Sequence, residues 1–371
     1  MGKKIKQKRI FIAATKQNDG KTTVSLGLIK AFQKRFKRVG FIKPVGQRYV
    51  LERGFKVDED SVLIEKACGM KGSIKDMSPV AIEKGFTENY IKRGDHRKLV
   101  DGIISSFERI SKNKDLVVIE GTGHAGVGSI FDLSNAKVAN LLDAKVILIA
   151  SGGIGKPMDE IELNMALFER EGVQVIGVII NKVIASKYKK VRSALNMGLK
   201  RKGIDVLGVI PYTLKLSDPT ILNIIEETGL KLISRNVGLN NVVWDILIGA
   251  MEPHDALKYI KKNSLLITPG DREDMIVAML TPNLLKKQKR KNISLSGIIL
   301  TGGIVPNPAI MKLIEDARIP VLLSKEHTYK AASQIYDLAV KIRPNDKGKT
   351  KLAETLVKKY VDVGRILEKI K

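Results

Sequence analysis

Apolar and polar positions along this chain alternate between two kinds of segment. Short, nearly continuous apolar runs occupy 9–13, 38–42, 115–119, 144–150, 173–180 and 206–210. They are rich in Val, Ile and Leu without strict alternation, the pattern of strands buried on both faces of a parallel sheet. Between them apolar residues recur at helical spacing. Val24, Leu28, Phe32 and Phe36 fall on one face, and similar periods run through 99–110 and 158–168. Strand alternating with helix predicts an α/β domain built on a parallel sheet.

The pattern changes after Pro211. A helix is expected at 222–227, a loop rich in Asn and Gly at 236–243, and a smaller α/β unit from Asp255 onward. In that unit 265–268, 297–300 and 319–323 read as strands, and 273–280 and 309–316 as helices. Glycine stands at two strand ends, Gly270 and Gly302-Gly303, which suggests a compact Rossmann-like domain. Leu352, Leu356 and Tyr360 keep helical spacing in the tail. The expected organisation is therefore 1–215, 216–345 and a helical tail at 346–371.

The sharpest chemical signal lies between the first strand and the first helix. Residues 14–23 read Ala-Thr-Lys-Gln-Asn-Asp-Gly-Lys-Thr-Thr. A helix N-terminus offers unpaired N–H groups and the positive end of the helix dipole, so this loop is a candidate phosphate cradle. Lys21 can reach terminal phosphates, and the Thr22 hydroxyl is placed to ligate Mg²⁺, with Thr23 beside it in the first turn. The loop lacks the opening glycine of the usual pattern: Thr15 stands there, so the loop must turn with Ala14, Asn18 and Asp19 ahead of Gly20. Glu120 ends an apolar strand, where a carboxylate can hold Mg²⁺ directly or through water. Asn181 ends another, where its amide could bond an adenine edge or simply form a turn. The cofactors expected are ATP and Mg²⁺.

Composition narrows the remaining choices. The chain has 371 residues, 44% hydrophobic and 28% charged, as in a soluble globular protein of two domains. The net charge of +26 would attract nucleic acid, but the basic runs at 3–9, 34–38, 187–192, 200–202 and 286–291 are spread over the whole length. Aromatic content is 5% and no basic-aromatic interleaving occurs, so the charge reads as a lysine-rich solvated surface. A nucleic-acid partner is not expected. No apolar run reaches membrane-span length, and the short one after Met1-Gly2-Lys3-Lys4 reads as core strand rather than signal peptide. Gly2 lacks the downstream Ser or Thr of a myristoylation site. A single cysteine, Cys68, fits a reducing cytoplasm. The four histidines are scattered, without metal-ligand spacing.

Several short segments carry a family resemblance. Beyond the phosphate loop, Lys43-Pro44-Val45, Asp60, Glu120-Gly121-Thr122-Gly123-His124 and Ile180-Asn181-Lys182 fall in the order seen in dethiobiotin synthetase-like P-loop proteins. Asp271-Arg272, Leu300-Thr301-Gly302-Gly303 and Thr328-Tyr329 resemble the DRTGG domain. Together they resemble the N-terminal regulatory region of long phosphotransacetylases over roughly residues 9–345, with no acetyltransferase-like segment expected after it. The resemblance implies that Lys43 lies near the γ-phosphate as a catalytic partner of Lys21. It makes Asp60 the second metal carboxylate beside Thr22 and Glu120, and it implies a homodimer. Lys16 matches the second lysine of the MinD and ParA group, which reaches phosphate.

Two departures separate the functional readings. The substrate-binding serine of dethiobiotin synthetases is absent, since Gly46-Gln47-Arg48 follows Val45, and Cys68 has no partner histidine for a glutaminase. The reading favoured is an ATP-binding regulatory or sensor protein acting with a phosphotransacetylase or another acyl-phosphate enzyme. The alternative is an ATP-dependent ligase of the dethiobiotin synthetase or cobyrinate amidase type, activating a carboxylate or carbamate. Slow ATP hydrolysis and a ParA-like nucleic-acid-associated ATPase complete the range.

Overall fold

The computed structural model describes residues 7–284, 293–338, 342–344 and 346–371. The basic run 286–291, and the start of that at 3–9, lie outside them. The chain forms two units, one of Met1–Thr213 with Ile342–Lys371 and one of Leu214–Lys341.

The first unit is built on strands whose residues are almost wholly buried. In chain order it contains β1 (Lys8–Ala14), α1 (Lys21–Gln33), β2 (Val39–Ile42), β3 (Val45–Gly46), β4 (Tyr49–Glu52), β5 (Phe55–Asp58), α2 (Glu59–Cys68), α3 (Ile74–Met77), β6 (Val80–Ala81), α4 (Phe86–Arg93) and α5 (His96–Ser111). There follow β7 (Leu116–Glu120), α6 (Asn135–Leu141), β8 (Lys145–Ser151), α7 (Gly155–Arg170), β9 (Val175–Val183), α8 (Tyr188–Arg201) and β10 (Val206–Pro211). Six strands pair in the order β10-β9-β8-β1-β7-β2, all parallel. Ile10–Ala14, Leu116–Glu120 and Val146–Ala150 are buried, as strands covered by helices on both faces must be. Strand order reverses at β1: the chain moves outward to β2 and β7 on one side, then to β8, β9 and β10 on the other. An open α/β sheet has its ligand crevice at such a reversal, beyond the carboxyl ends of the strands.

The second unit contains α9 (Leu214–Ser217), α10 (Ile221–Thr228), β11 (Lys231–Leu232), β12 (Asp245–Ile248), α11 (Pro253–Ala256), β13 (Ser264–Pro269), α12 (Glu273–Leu284), β14 (Leu295–Thr301), α13 (Pro308–Asp316), β15 (Val321–Leu323) and α14 (Thr328–Tyr336). Its sheet runs β11-β15-β14-β13-β12, with β12 to β15 parallel and β11 antiparallel. Leu266, Ile298 and Leu300 pack on one face with Met275 and Ile314, while Leu265, Ile267 and Ile299 pack on the other with Ile224 and Ile335. The unit begins earlier than Asp255: β12 forms the sheet edge beside β13.

The tail returns to the first unit as α15 (Lys347–Tyr360) and α16 (Val363–Lys369). Helix α15 packs closely on α1 because Gly27 has no side chain: a Cβ there would lie 2.4 Å from Val357 Cγ2 and 2.7 Å from the Ala353 carbonyl. Val361 then bridges Gly208 on β10, and the Asp362 N–H donates to Leu207 O at 2.8 Å. Arg365 and Lys369 of α16 each reach Asp205 at 2.5 Å. The second unit is thus an insertion within the first.

Candidate nucleotide-binding site

The segment between β1 and α1 is a braced loop. Thr15 N–H donates to Ile149 O of β8 at 2.8 Å. The Asp19 carboxylate is fully buried and accepts from Thr15 Oγ1 at 2.8 Å, from the Lys16 N–H at 3.0 Å and from Ser151 Oγ. Asn18 (φ 66°) and Gly20 (φ 90°) take the left-handed backbone that an opening glycine would otherwise provide. A side-chain brace centred on the Asp19 carboxylate therefore stands in for the missing glycine. Asn181 donates to Asp19 O at 2.8 Å, and a Cβ on Gly20 would lie 2.3 Å from its amide nitrogen. Lys182 donates to Asn18 O at 2.7 Å. Asn181 lies within β9 rather than in a turn, and its amide nitrogen holds the loop.

Above this brace no side chain caps the N-terminus of α1. Lys21 is buried, and its ammonium donates to Gly123 O at 3.0 Å. Burial lowers its pKa to about 8, against the opposing pull of Glu120. Thr22 donates to Glu120 Oε1 at 3.0 Å, and Thr23 lies beside it in the first turn. Glu120 is fully buried, and the Ser25 hydroxyl also bonds its carboxylate. Burial pushes the Glu120 carboxyl up, and the neighbouring Asp60 adds to that.

Lys43 completes the group. Its ammonium bonds Asp60, lies 2.8 Å from Asp58 Oδ1 and 3.9 Å from Glu120 Oε1. Burial opposes its charge, but Asp60, Asp58 and Glu120 together outweigh that and raise its pKa. Asp58 caps α2 by accepting from the Asp60 N–H at 2.9 Å, which fixes both carboxylates toward Lys43. The uncapped helix, the buried lysine and the hydroxyl suit a triphosphate. The buried Glu120 carboxylate beside the Thr22 hydroxyl suits Mg²⁺, which takes few protein ligands and completes its shell with phosphate oxygens and water.

A family profile described as an AAA domain matches residues 8–220, more than half of the chain. The chain belongs to the AAA domain family. A profile described as a DRTGG domain matches residues 223–338. The phosphate acetyltransferase of Nitratidesulfovibrio vulgaris is 27% identical over 362 residues, 95% of this chain and 50% of that protein. That of Synechocystis sp. is 26% identical over 370 residues, 98% and 52% respectively. The chain spans about half the length of the curated relatives it matches. Among solved structures, the MinC:MinD cell division protein complex of Aquifex aeolicus is similar at 18% identity, with 56% of this chain and 83% of that one covered and a TM-score of 0.37.

Helix α7 of the AAA domain supplies two groups that the sequence did not single out. Glu160 lies 3.4 Å from Thr15 Oγ1 and 3.6 Å from the Lys16 ammonium. Asn164 donates to Thr15 O at 3.2 Å and accepts from the Ala125 N–H at 2.8 Å, tying the phosphate loop to the loop after β7. Their trace in the sequence is a buried amide among Pro157, Ile161 and Phe168 on the inner face of α7. In the DRTGG domain the glycine loops are spent on the fold. The N–H groups of Gly270, Gly302 and Gly303 donate to Thr301 O, Glu326 O and Ser324 O. Arg272 holds Asp274 at 2.9 Å and Met251 O at 3.1 Å. Among the described residues no three His, Cys, Asp or Glu side chains could hold a metal ion as they stand, and no helix is long and apolar enough to cross a membrane.

Proposed function

We propose that the chain is a cytoplasmic ATP- and Mg²⁺-binding regulatory or sensor protein, related to the N-terminal region of phosphotransacetylases. The observation that carries the nucleotide half is the uncapped start of α1, with Lys21 and Thr22 facing Glu120 at the point where strand order reverses. On this reading Lys21 leaves Gly123 O for the terminal phosphates. Thr22, Glu120 and Asp60 hold the cation, and Lys16 exchanges Glu160 for phosphate. Magnesium supplies charge neutralisation of the β- and γ-phosphates. The regulatory half is supported by the DRTGG domain and by the acetyltransferase relatives. The partner is then a phosphotransacetylase or another acyl-phosphate enzyme, and the working form a homodimer.

Calorimetric titration with Mg-ATP tests the first half. Lys21→Ala should weaken binding by about 1.5–3 kcal/mol, the worth of a charge-assisted hydrogen bond. Equal affinity in both proteins would refute the phosphate-loop assignment. The sensor half requires that a ligand of the DRTGG domain alter ATP affinity, with coupling of about 1–3 kcal/mol. Acyl-phosphates and candidate partner enzymes are the probes.

A second reading, an ATP-dependent ligase, is favoured by one feature: the Lys43 ammonium stands next to Glu120, where it can contact a phosphorylated carboxylate or carbamate. Substrate-stimulated ADP release from a chain whose residues 214–341 are replaced by a short flexible linker would favour this reading over the sensor.

A further inference from the structure

The second unit carries a groove that its glycine loops do not line. It lies between the end of α10 and one face of α14, with a volume of about 560 Å³, within the range of small-molecule sites. At one end stand His327 and Tyr329, whose rings lie 6.4 Å apart with an interplanar angle of 11°. Tyr329 is 79% exposed, so the fold does not consume its ring face. Two exposed rings of one orientation form a platform for a third flat ring. Along α14 the lining continues at helical spacing with Lys330, Gln334 and Asp337, and Glu227 enters from α10. Tyr329 and Asp337 are separated by about 12 Å of helix rise, so a ligand touching both is elongated, with its ring at one end.

The polar groups narrow the ligand further. The Gln334 amide both donates and accepts, as the edge of a heterocycle requires. Asp337 accepts from the Ser333 hydroxyl at 3.4 Å, and no ion pair neutralises it among the described residues. A carboxylate so placed suits hydroxyl donors such as a ribose diol. Charge disfavours a phosphate. The Lys330 ammonium is taken by Glu326 at 2.9 Å, and the His327 side chain already caps α14 by accepting from the Lys330 N–H at 3.4 Å. Glu227 and Asp337 repel an anion. We propose that this groove is the ligand site of the DRTGG domain and takes a ribonucleoside: the base lies against Tyr329 and His327, its edge on Gln334, and the ribose diol on Asp337. The site deepens the sensor reading and rests on it for the expectation that a ligand here alters ATP affinity.

Calorimetric titration of the intact chain with adenosine, without magnesium or ATP, tests the site. Wild type should bind it. 2′-Deoxyadenosine on wild type, and adenosine on Asp337→Asn, should each bind about tenfold more weakly, since both break the diol contact. Tyr329→Ala should lose roughly fivefold or more through the missing stack. Both side chains are exposed, so these substitutions leave the fold intact. AMP should bind no better than adenosine. No binding of adenosine, guanosine, cytidine or uridine at millimolar concentration overturns the inference. So does an adenosine affinity that neither variant changes, or AMP bound roughly tenfold more tightly than adenosine. Lys21→Ala should leave adenosine binding unchanged; a loss there would place the nucleoside at α1 and overturn the inference. Adenosine held in the groove without effect on Mg-ATP affinity supports the site and refutes the sensor reading instead.

Discussion

The chain contains two parallel sheets of similar chemistry and different strand order. In the first, order reverses at β1, the kind of place where open α/β sheets bind ligands beyond the carboxyl ends of their strands. In the second, β12, β13, β14 and β15 follow one another in a single direction, so that no reversal splits its parallel strands. Buried charge follows the same division. Asp19, Lys21, Lys43, Asp58, Asp60, Glu65, Asp76, Glu120 and Lys349 are buried in the first unit, and only Asp218 among the described residues of the second. The second unit buries neutral hydroxyls instead, including Ser264, Thr268, Thr301 and Ser324. Ionised groups are costly to bury and persist where a site uses them. The comparison teaches that similar glycines serve different local ends: Gly20 takes a left-handed turn beside the reversal of strand order, and the N–H groups of Gly302 and Gly303 are bonded within their own unit.

The largest expected effect comes from cutting the first unit short. Leu356, Val357, Val361, Ile366 and Ile370 of the tail are buried. At about 1.5–3 kcal/mol each they contribute on the order of ten kcal/mol, as much as the whole stability of a typical domain. A chain ending at residue 213 should therefore lose cooperative unfolding by circular dichroism. One in which a flexible linker replaces 214–341 should keep it. Should residues 1–213 alone melt like the intact chain, the division into an interrupted first unit and an inserted second one is wrong.

A smaller effect separates the units by pH. The Lys21 pKa falls from 10.5 to about 8 on folding, mainly through burial. Between those values the unfolded chain holds the proton and the folded chain does not, so stability must rise with pH across the window. Wild type compared with Lys21→Met should gain on the order of 3 kcal/mol between pH 8 and 10.5, at roughly 1.4 kcal/mol per unit. The described residues of the second unit bury no lysine, so its melting should not follow this trend. A constant difference between the two proteins across that window would show that Lys21 keeps its charge when folded.

Much of this was legible in the sequence, for a local reason. Strands β1, β2, β7, β8, β9 and β10 announce themselves as continuous apolar runs, and Lys21, Thr22 and Glu120 sit at their ends. The hairpin β4–β5 was not legible, because Tyr49, Val50, Leu51 and Phe55 are exposed and show no alternation. Strand β12 is a short edge strand with little burial. What no local pattern carries is contact across sequence: Asp19 turned inward by Thr15 and Ser151, Glu160 and Asn164 reaching the loop from α7, and α15 returning over more than a hundred residues to pack on Gly27. Asp58 was hidden by its neighbours, since an acidic turn and a helix cap that orients two carboxylates have the same letters.

The smallest expected effect is a rate, and it reads the first unit alone. Cys68 is the chain's single cysteine and belongs to α2 of that unit. It is 5% exposed, and burial pushes its thiol up to about 12. The thiolate is the reactive form, so at pH 8 only about one molecule in ten thousand carries it while folded, against roughly one in four for an ordinary thiol of pKa 8.5. Alkylation should therefore proceed through opening of the first unit, with a rate set by that unit's stability. Mg-ATP should slow the labelling, because a ligand bound only to the folded form deepens the native state. Loosening the second unit, for example by Gly270→Ala, whose Cβ would lie 1.9 Å from Ile304 O, should leave the rate nearly unchanged. Labelling that accelerates in Gly270→Ala as much as in Gly27→Ala would mean that the two units open together, and the contrast between them would then hold for chemistry but not for stability.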